Sequence, residues 1–328
     1  MSNQLCILSG TLAAGTSVVA QSLAASRRAR VVSWHDVATH PHWQRLASAA
    51  VDDAQMPLAN AMTRLAELDA VGRLCQVGEE IVWDLGPAPQ SLHMLALVEA
   101  WPVLVEQFDS QARLALQPYA DGMDALREAV RAAELIVVTL PARGARGALR
   151  RVLDGFDLLG LDASCVVINR VPRRADGWPK GWTRLQRARS AELTKVTRKR
   201  GVRTVKVREA LEDVRIAKVV SRDLRPIAAS TVSAGVHEPV SLDAEFFADA
   251  DRFRWILRLG AAADRRLRAG RIGSSLVLAR GEAIRQVPLP SVLARCTIVD
   301  GVTGSGFLEL VGEPDPSRWR RPAAGATS

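Results

Sequence analysis

The strongest constraint on this chain is a pattern of short, nearly unbroken apolar runs that alternate with amphipathic segments. Residues 135–139 (Leu-Ile-Val-Val-Thr) and 165–169 (Cys-Val-Val-Ile-Asn) flank residues 145–159, where Leu149, Val152, Leu153 and Phe156 fall at helical spacing. A strand that is apolar on both faces must be covered on both, as in a parallel sheet between helical layers. Residues 5–8, 30–34, 80–84 and 203–207 read as further strands. Residues 18–25 read as a helix, with Val19 and Leu23 four apart. Residues 109–133 have helical spacing through Leu116, Met123, Leu126 and Val130, interrupted early by Pro118 and Gly122. The expected fold class is α/β, a mostly parallel sheet with helices on both faces.

The texture changes near residue 239. Short runs at 253–259, 275–279, 283–287, 296–299 and 306–311 are separated by glycine turns, without helical period from 273 onward. This reads as a small antiparallel β domain. The expected division is 1–240 for the α/β domain, 250–313 for the β domain, and 314–328 for a flexible tail rich in Pro, Arg and Ala.

Several function classes lose ground on composition. The first residues carry no basic stretch ahead of an apolar one, and no run approaches the length of a membrane span, so a cytoplasmic protein is expected. Cys6, Cys75, Cys165 and Cys296 are scattered and form no C-x-x-C pair, so buried thiols are expected and zinc is not. His35, His40 and His42 cluster beside Asp36, yet no further ligand completes a metal shell, and a polar loop is the simpler reading. The net charge of +9 is uneven: 14 Lys/Arg stand against Asp176 and Glu192 between Arg170 and Arg208, with Trp178 and Trp182 among them. Such a stretch suits an anionic surface or a solvated basic face.

The chemistry sits between the first strand and the first helix. Ser9-Gly10-Thr11-Leu12-Ala13-Ala14-Gly15-Thr16-Ser17 occupies the position of a phosphate-binding loop, whose working form is G-x-x-x-x-G-K-[ST]. In such a loop the backbone amides and the helix N-terminus cradle phosphate, lysine neutralises it, and the hydroxyl binds magnesium. Gly10, Gly15 and Ser17 match, but Thr16 stands where lysine belongs. The apolar run ending in Asp84 presents a carboxylate suited to a magnesium shell, beside that loop if the two strands are neighbours.

These segments resemble the ArsA-like ATPases, the family of arsenite-pump and tail-anchored-protein-targeting ATPases. Residues 8–17 resemble the family loop G-K-G-G-V-G-K-T, with Thr11 and Thr16 on its two lysines. Residues 81–92 resemble its switch segment D-T-A-P-T-G-H-T-L, keeping Asp84 and Pro87. Residues 137–141 and 166–171 resemble two later strands, with Asn169 on the asparagine associated with the adenine base. Residues 276–281, 287–290 and 306–310 resemble the α-crystallin-like domain appended to some bacterial members. The resemblance implies a site for ATP or ADP with Mg2+ at Gly10, Thr11, Gly15, Thr16, Ser17 and Asn169, with magnesium at Ser17 and Asp84. Asp36 and Asp84 are the candidate catalytic carboxylates, Asp36 lying about one residue from the family's first switch aspartate.

The departures set the functional expectation. Without both lysines the loop lacks the charge that stabilises a transferring phosphoryl group, and one such lost donor costs about 3–4 kcal/mol. A degenerate ArsA-like protein follows, with weak or no hydrolysis, serving as a dimeric or heterodimeric partner of an active relative. A genuine ATPase driving anion transport or membrane-protein targeting would need a cation from elsewhere, such as Arg143, Arg146, Arg150 or Arg170. A basic binder of nucleic acid or an anionic surface is the third reading, with nucleic acid the less favoured partner and peripheral membrane contact compatible with the charge.

Overall fold

The structure, a computed structural model, describes residues 5–11, 14–33, 56–107, 110–172, 178–209, 222–224, 244–249, 252–259, 263, 266–281, 283–304 and 306–318. Asp36, His35, His40 and His42, the loop residues Leu12 and Ala13, and the tail beyond 318 lie outside these.

Six strands form one parallel sheet: β1 (Leu5–Gly10), β2 (Arg30–Ser33), β3 (Ile81–Pro87), β4 (Glu134–Thr139), β5 (Ala163–Val171) and β6 (Arg203–Arg208). Their spatial order is β2-β3-β1-β4-β5-β6. Helix α1 (Thr16–Arg27) joins β1 to β2, and α2 (Met56–Gln76) precedes β3. Between β3 and β4 run α3 (Ala88–Gln107), α4 (Ser110–Leu116), a 3-10 turn (Gln117–Tyr119) and α5 (Ala120–Arg131). Helix α6 (Ala145–Leu159) joins β4 to β5, and α7 (Lys180–Lys199) joins β5 to β6.

Strand periodicity explains both layers. Cys6 and Leu8 of β1 face one side with Val82, Ile136, Val138 and Val167, packing on Val19, Ala20, Leu23 and Ala24 of α1. Leu5 and Ile7 face the other with Trp83, Val137 and Ile168, against a larger core that includes Leu126, Leu149 and Phe156. Each of these large side chains contributes about 1.5–3 kcal/mol on burial. At the opposite end from the loop, the guanidinium of Arg27 is buried against Glu134 at 2.6 Å and lies 3.9 Å from Glu80. All four cysteines are buried and free; burial pushes the Cys165 thiol up to about 12 and the Cys75 thiol up to about 11.

The remaining strands are antiparallel. Strands β9 (Arg268–Ile272), β10 (Ser275–Arg280) and β11 (Ala283–Pro288) make one sheet. Strands β7 (Ala244–Asp249), β8 (Arg252–Arg258), β12 (Cys296–Thr303) and β13 (Phe307–Pro314) make a second, in the order β12-β13-β8-β7. A short turn of helix, α8 (Ser291–Ala294), separates β11 from β12. The apolar residues of both small sheets join the same core as α3 and α6. Arg280 reaches across to Asp154 of α6 at 2.7 Å, and Arg285 donates to the Leu158 carbonyl at 3.0 Å.

Candidate functional site

The sheet topology creates one favoured crevice. The connection from β1 leads through α1 to β2 on one side, whereas that from β4 leads through α6 to β5 on the other. Adjacent strands whose connections leave in opposite directions open a cleft at their carboxyl ends, where open α/β sheets bind ligands. The segment 9–17 ends β1 at this cleft, and Asp84 lies on the neighbouring β3, paired in register with Leu8. Strand adjacency thus holds for loop and carboxylate.

The side chains at the cleft are turned toward one another. Thr11 Oγ1 donates to Thr139 Oγ1 at 2.7 Å, joining the residue after β1 to the last residue of β4. The Thr11 amide also donates to the Val138 carbonyl at 2.8 Å. Both hydroxyls are buried, so the hydrogen bond crosses the mouth of the cleft out of solvent. Thr16 is buried, with its Oγ1 lying 2.1 Å from where a Cβ on Gly10 would sit. Any side chain at position 10 would collide with it.

Gly15 opens α1 with φ 73° and ψ 40°, a left-handed geometry that favours glycine. No side chain caps this helix. Asn169, at the end of β5, holds the loop from the other side. Its Nδ2 donates to the Ala14 carbonyl at 2.9 Å, and its Oδ1 accepts from the Arg170 amide at 2.9 Å. Asp84 is buried, and its Oδ1 accepts from the Gly86 amide at 3.0 Å. Ser17 is exposed on the first turn of α1.

The structure therefore brings Gly10, Thr11, Gly15, Thr16 and Asn169 together around one cleft, with Asp84 on the adjoining strand. Asp36 falls outside the described residues. Sequence reasoning missed Thr139, the partner of Thr11, because a hydrogen bond between positions 128 apart has no local signature.

Among the described residues, the groups buried at the cleft include no cation. Arg143 and Arg170 stand exposed after β4 and at the end of β5, whereas Arg146 is engaged by Glu192 at 3.2 Å. The buried groups facing the cleft are hydroxyls, an amide and a carboxylate. That donor set does not match a magnesium triphosphate, whose negative charge calls for cations in contact with it. Among the described residues, no group of three or more His, Cys, Asp or Glu could hold a metal ion. What the cleft can still offer an anion is backbone: the uncapped N-termini of α1 and of α6, the latter also opened by a left-handed glycine, Gly144.

No family model matches the chain. It is similar to an uncharacterised protein of Streptomyces coelicolor, 28% identical over an alignment of length 316 that covers 84% of this chain and 76% of that protein. The similarity runs through most of both chains and assigns no activity to either.

Proposed function

We propose that this chain is a catalytically silent relative of the ArsA-like ATPases, a scaffold that binds a partner rather than a phosphoryl-transfer enzyme. One observation carries the reading. The two threonines on the family's lysine positions are buried, and Thr11 is committed to Thr139 rather than left to face a ligand. A hydroxyl neutralises no charge, and each lost electrostatic donor lowers phosphoryl-transfer rates by about 10²–10³. The segment similarities around residues 8–17, 81–92 and 166–171 support the ancestry, as does the adjacency of β1 and β3.

On this reading the protein acts in the cytoplasm as a dimer or as a heterodimer with a lysine-bearing relative. No helix among the described residues is long and apolar enough to cross a membrane. A phosphate-release assay on purified protein with magnesium and ATP tests the silent site. The expected result is release no faster than the buffer blank. Turnover that disappears in Asp84→Asn and in Ser17→Ala would establish the cleft as a working ATPase and remove the proposal.

A further inference from the structure

Among the described residues, a cluster of positive charge lies at a different place on the sheet. Strand β6 is the outer strand of the parallel sheet, and with α7 it borders a groove of about 980 Å3. Arg187 and Ser190 of α7 line it, together with Arg203, Lys206 and Arg208 of β6 and the pair Arg222–Asp223. Asp223 is the one carboxylate in that lining among the described residues. It is already occupied, pairing with Arg222 at 3.1 Å and accepting from the Arg208 amide at 3.0 Å. Arg187, Lys206 and Arg208 have no ion pair among the described residues, which leaves three charges facing the groove without a counter-charge.

A second, independent observation points the same way. Ser190 is 2% exposed, and its hydroxyl has no hydrogen-bond partner although it borders the groove. A buried hydroxyl without a partner is costly, and this one belongs to a residue that lines the groove. From these residues we infer that the groove binds a multiply charged phosphate ligand, a small polyphosphate or the polyphosphate moiety of a larger molecule, through Arg187, Lys206 and Arg208, with Ser190 in its lining.

Charge and lining together select this ligand class. Three cations exceed what one orthophosphate neutralises, and Lys206 and Arg208, two residues apart on β6, are separated by about 6.6 Å along the strand. A chain of phosphates reaches both. Single-stranded nucleic acid is recognised through aromatic platforms on which bases stack, and among the described residues no aromatic side chain lines this groove. Trp178 and Trp182 lie at the start of α7 but are packed on each other, ring centroids 4.5 Å apart. This site is distinct from the β1 cleft and stands whether or not that cleft is catalytically silent.

The test is calorimetric titration of the full chain with inorganic tripolyphosphate at low salt. The expected result is saturable one-site binding, weakened roughly tenfold or more by Lys206→Ala or Arg208→Ala through loss of a charge-assisted contact. Ser190→Ala weakens it less and leaves the salt dependence unchanged, because a neutral donor releases no counterion. Arg252→Ala, which removes an exposed arginine paired with Glu313 on the distant four-stranded sheet, leaves binding unchanged. Absence of saturable binding would overturn the inference. So would equal weakening by Arg252→Ala, which means non-specific attraction, or tighter binding of a single-stranded oligonucleotide than of tripolyphosphate at equal phosphate concentration.

Discussion

The cleft at the end of β1 and the groove beside β6 lie on the same sheet, yet they solve opposite problems. At the cleft, Thr11, Asn169 and Asp84 are buried and hydrogen-bonded to neighbouring groups of the protein itself, Thr16 is buried against Gly10, and the buried Ser9 hydroxyl lacks a partner. At the groove, Arg187, Lys206 and Arg208 line the surface with no ion pair among the described residues, and the Ser190 hydroxyl lacks a partner. The difference teaches that position in the fold and capacity for chemistry are separable. The topology marks the cleft as the ligand site, while the side chains place the charge complementary to phosphate three strands away.

Substitutions can break or sharpen that contrast. The largest effect belongs to Thr16→Lys, which restores the residue type an active loop carries. In an open loop it would be tolerated; in this packed one it forces a long cation into a buried position beside Gly10, costing about 2–4 kcal/mol. Urea unfolding measures it, and a stability unchanged from the parent would show the cleft to be open. Asn169→Ala comes next. It removes the hydrogen bonds to the Ala14 carbonyl and from the Arg170 amide, with an expected loss of about 2 kcal/mol.

Thr11→Val follows, because it deletes the bond to Thr139 while keeping most of the volume. Its expected cost is about 1 kcal/mol in the same unfolding experiment. Lys206→Ala stands at the bottom of the series, changing stability by less than about 0.5 kcal/mol, since it is exposed and has no ion pair among the described residues. A groove residue that proved as costly as a cleft residue would erase the distinction between the two regions.

Much of the fold is legible in the sequence because the physics is local. The strands β1, β3, β4 and β5 are read from fully apolar runs, and α6 from leucines, valine and phenylalanine at one helical face; all of these are buried where expected. The helical spacing at 109–133 is also realised, and the interruption near Pro118 appears as the 3-10 turn between α4 and α5. Helix α7 is harder to see. Its buried face includes Thr183, Ser190 and Thr197 beside Leu193 and Val196, so polar residues mask the period. Helix α3 hides differently, being apolar over much of its circumference and carrying Pro102 inside. Strands β7 and β9 contain too many charged or small residues to show alternation.

The candidate site divides along the same line. The loop Gly10–Ser17, Asp84 and Asn169 are readable as a spaced set, because glycines between a strand and a helix and a strand-end carboxylate are local signals. The closing contacts are not. The Thr11–Thr139 bond and the seating of Thr16 against Gly10 depend on tertiary packing. The groove shows only as a run of basic residues, without the unpartnered hydroxyl of Ser190 or the pairing that removes Asp223.

Hydrogen exchange read by mass spectrometry, with and without magnesium and ATP, tests the central claim most directly because it locates binding. A cleft whose buried groups supply no cation to a triphosphate leaves exchange across residues 10–19 unchanged at saturating nucleotide, even where the triphosphate slows exchange around 203–208. Strong protection of 10–19 by nucleotide, accompanied by phosphate release, would contradict it.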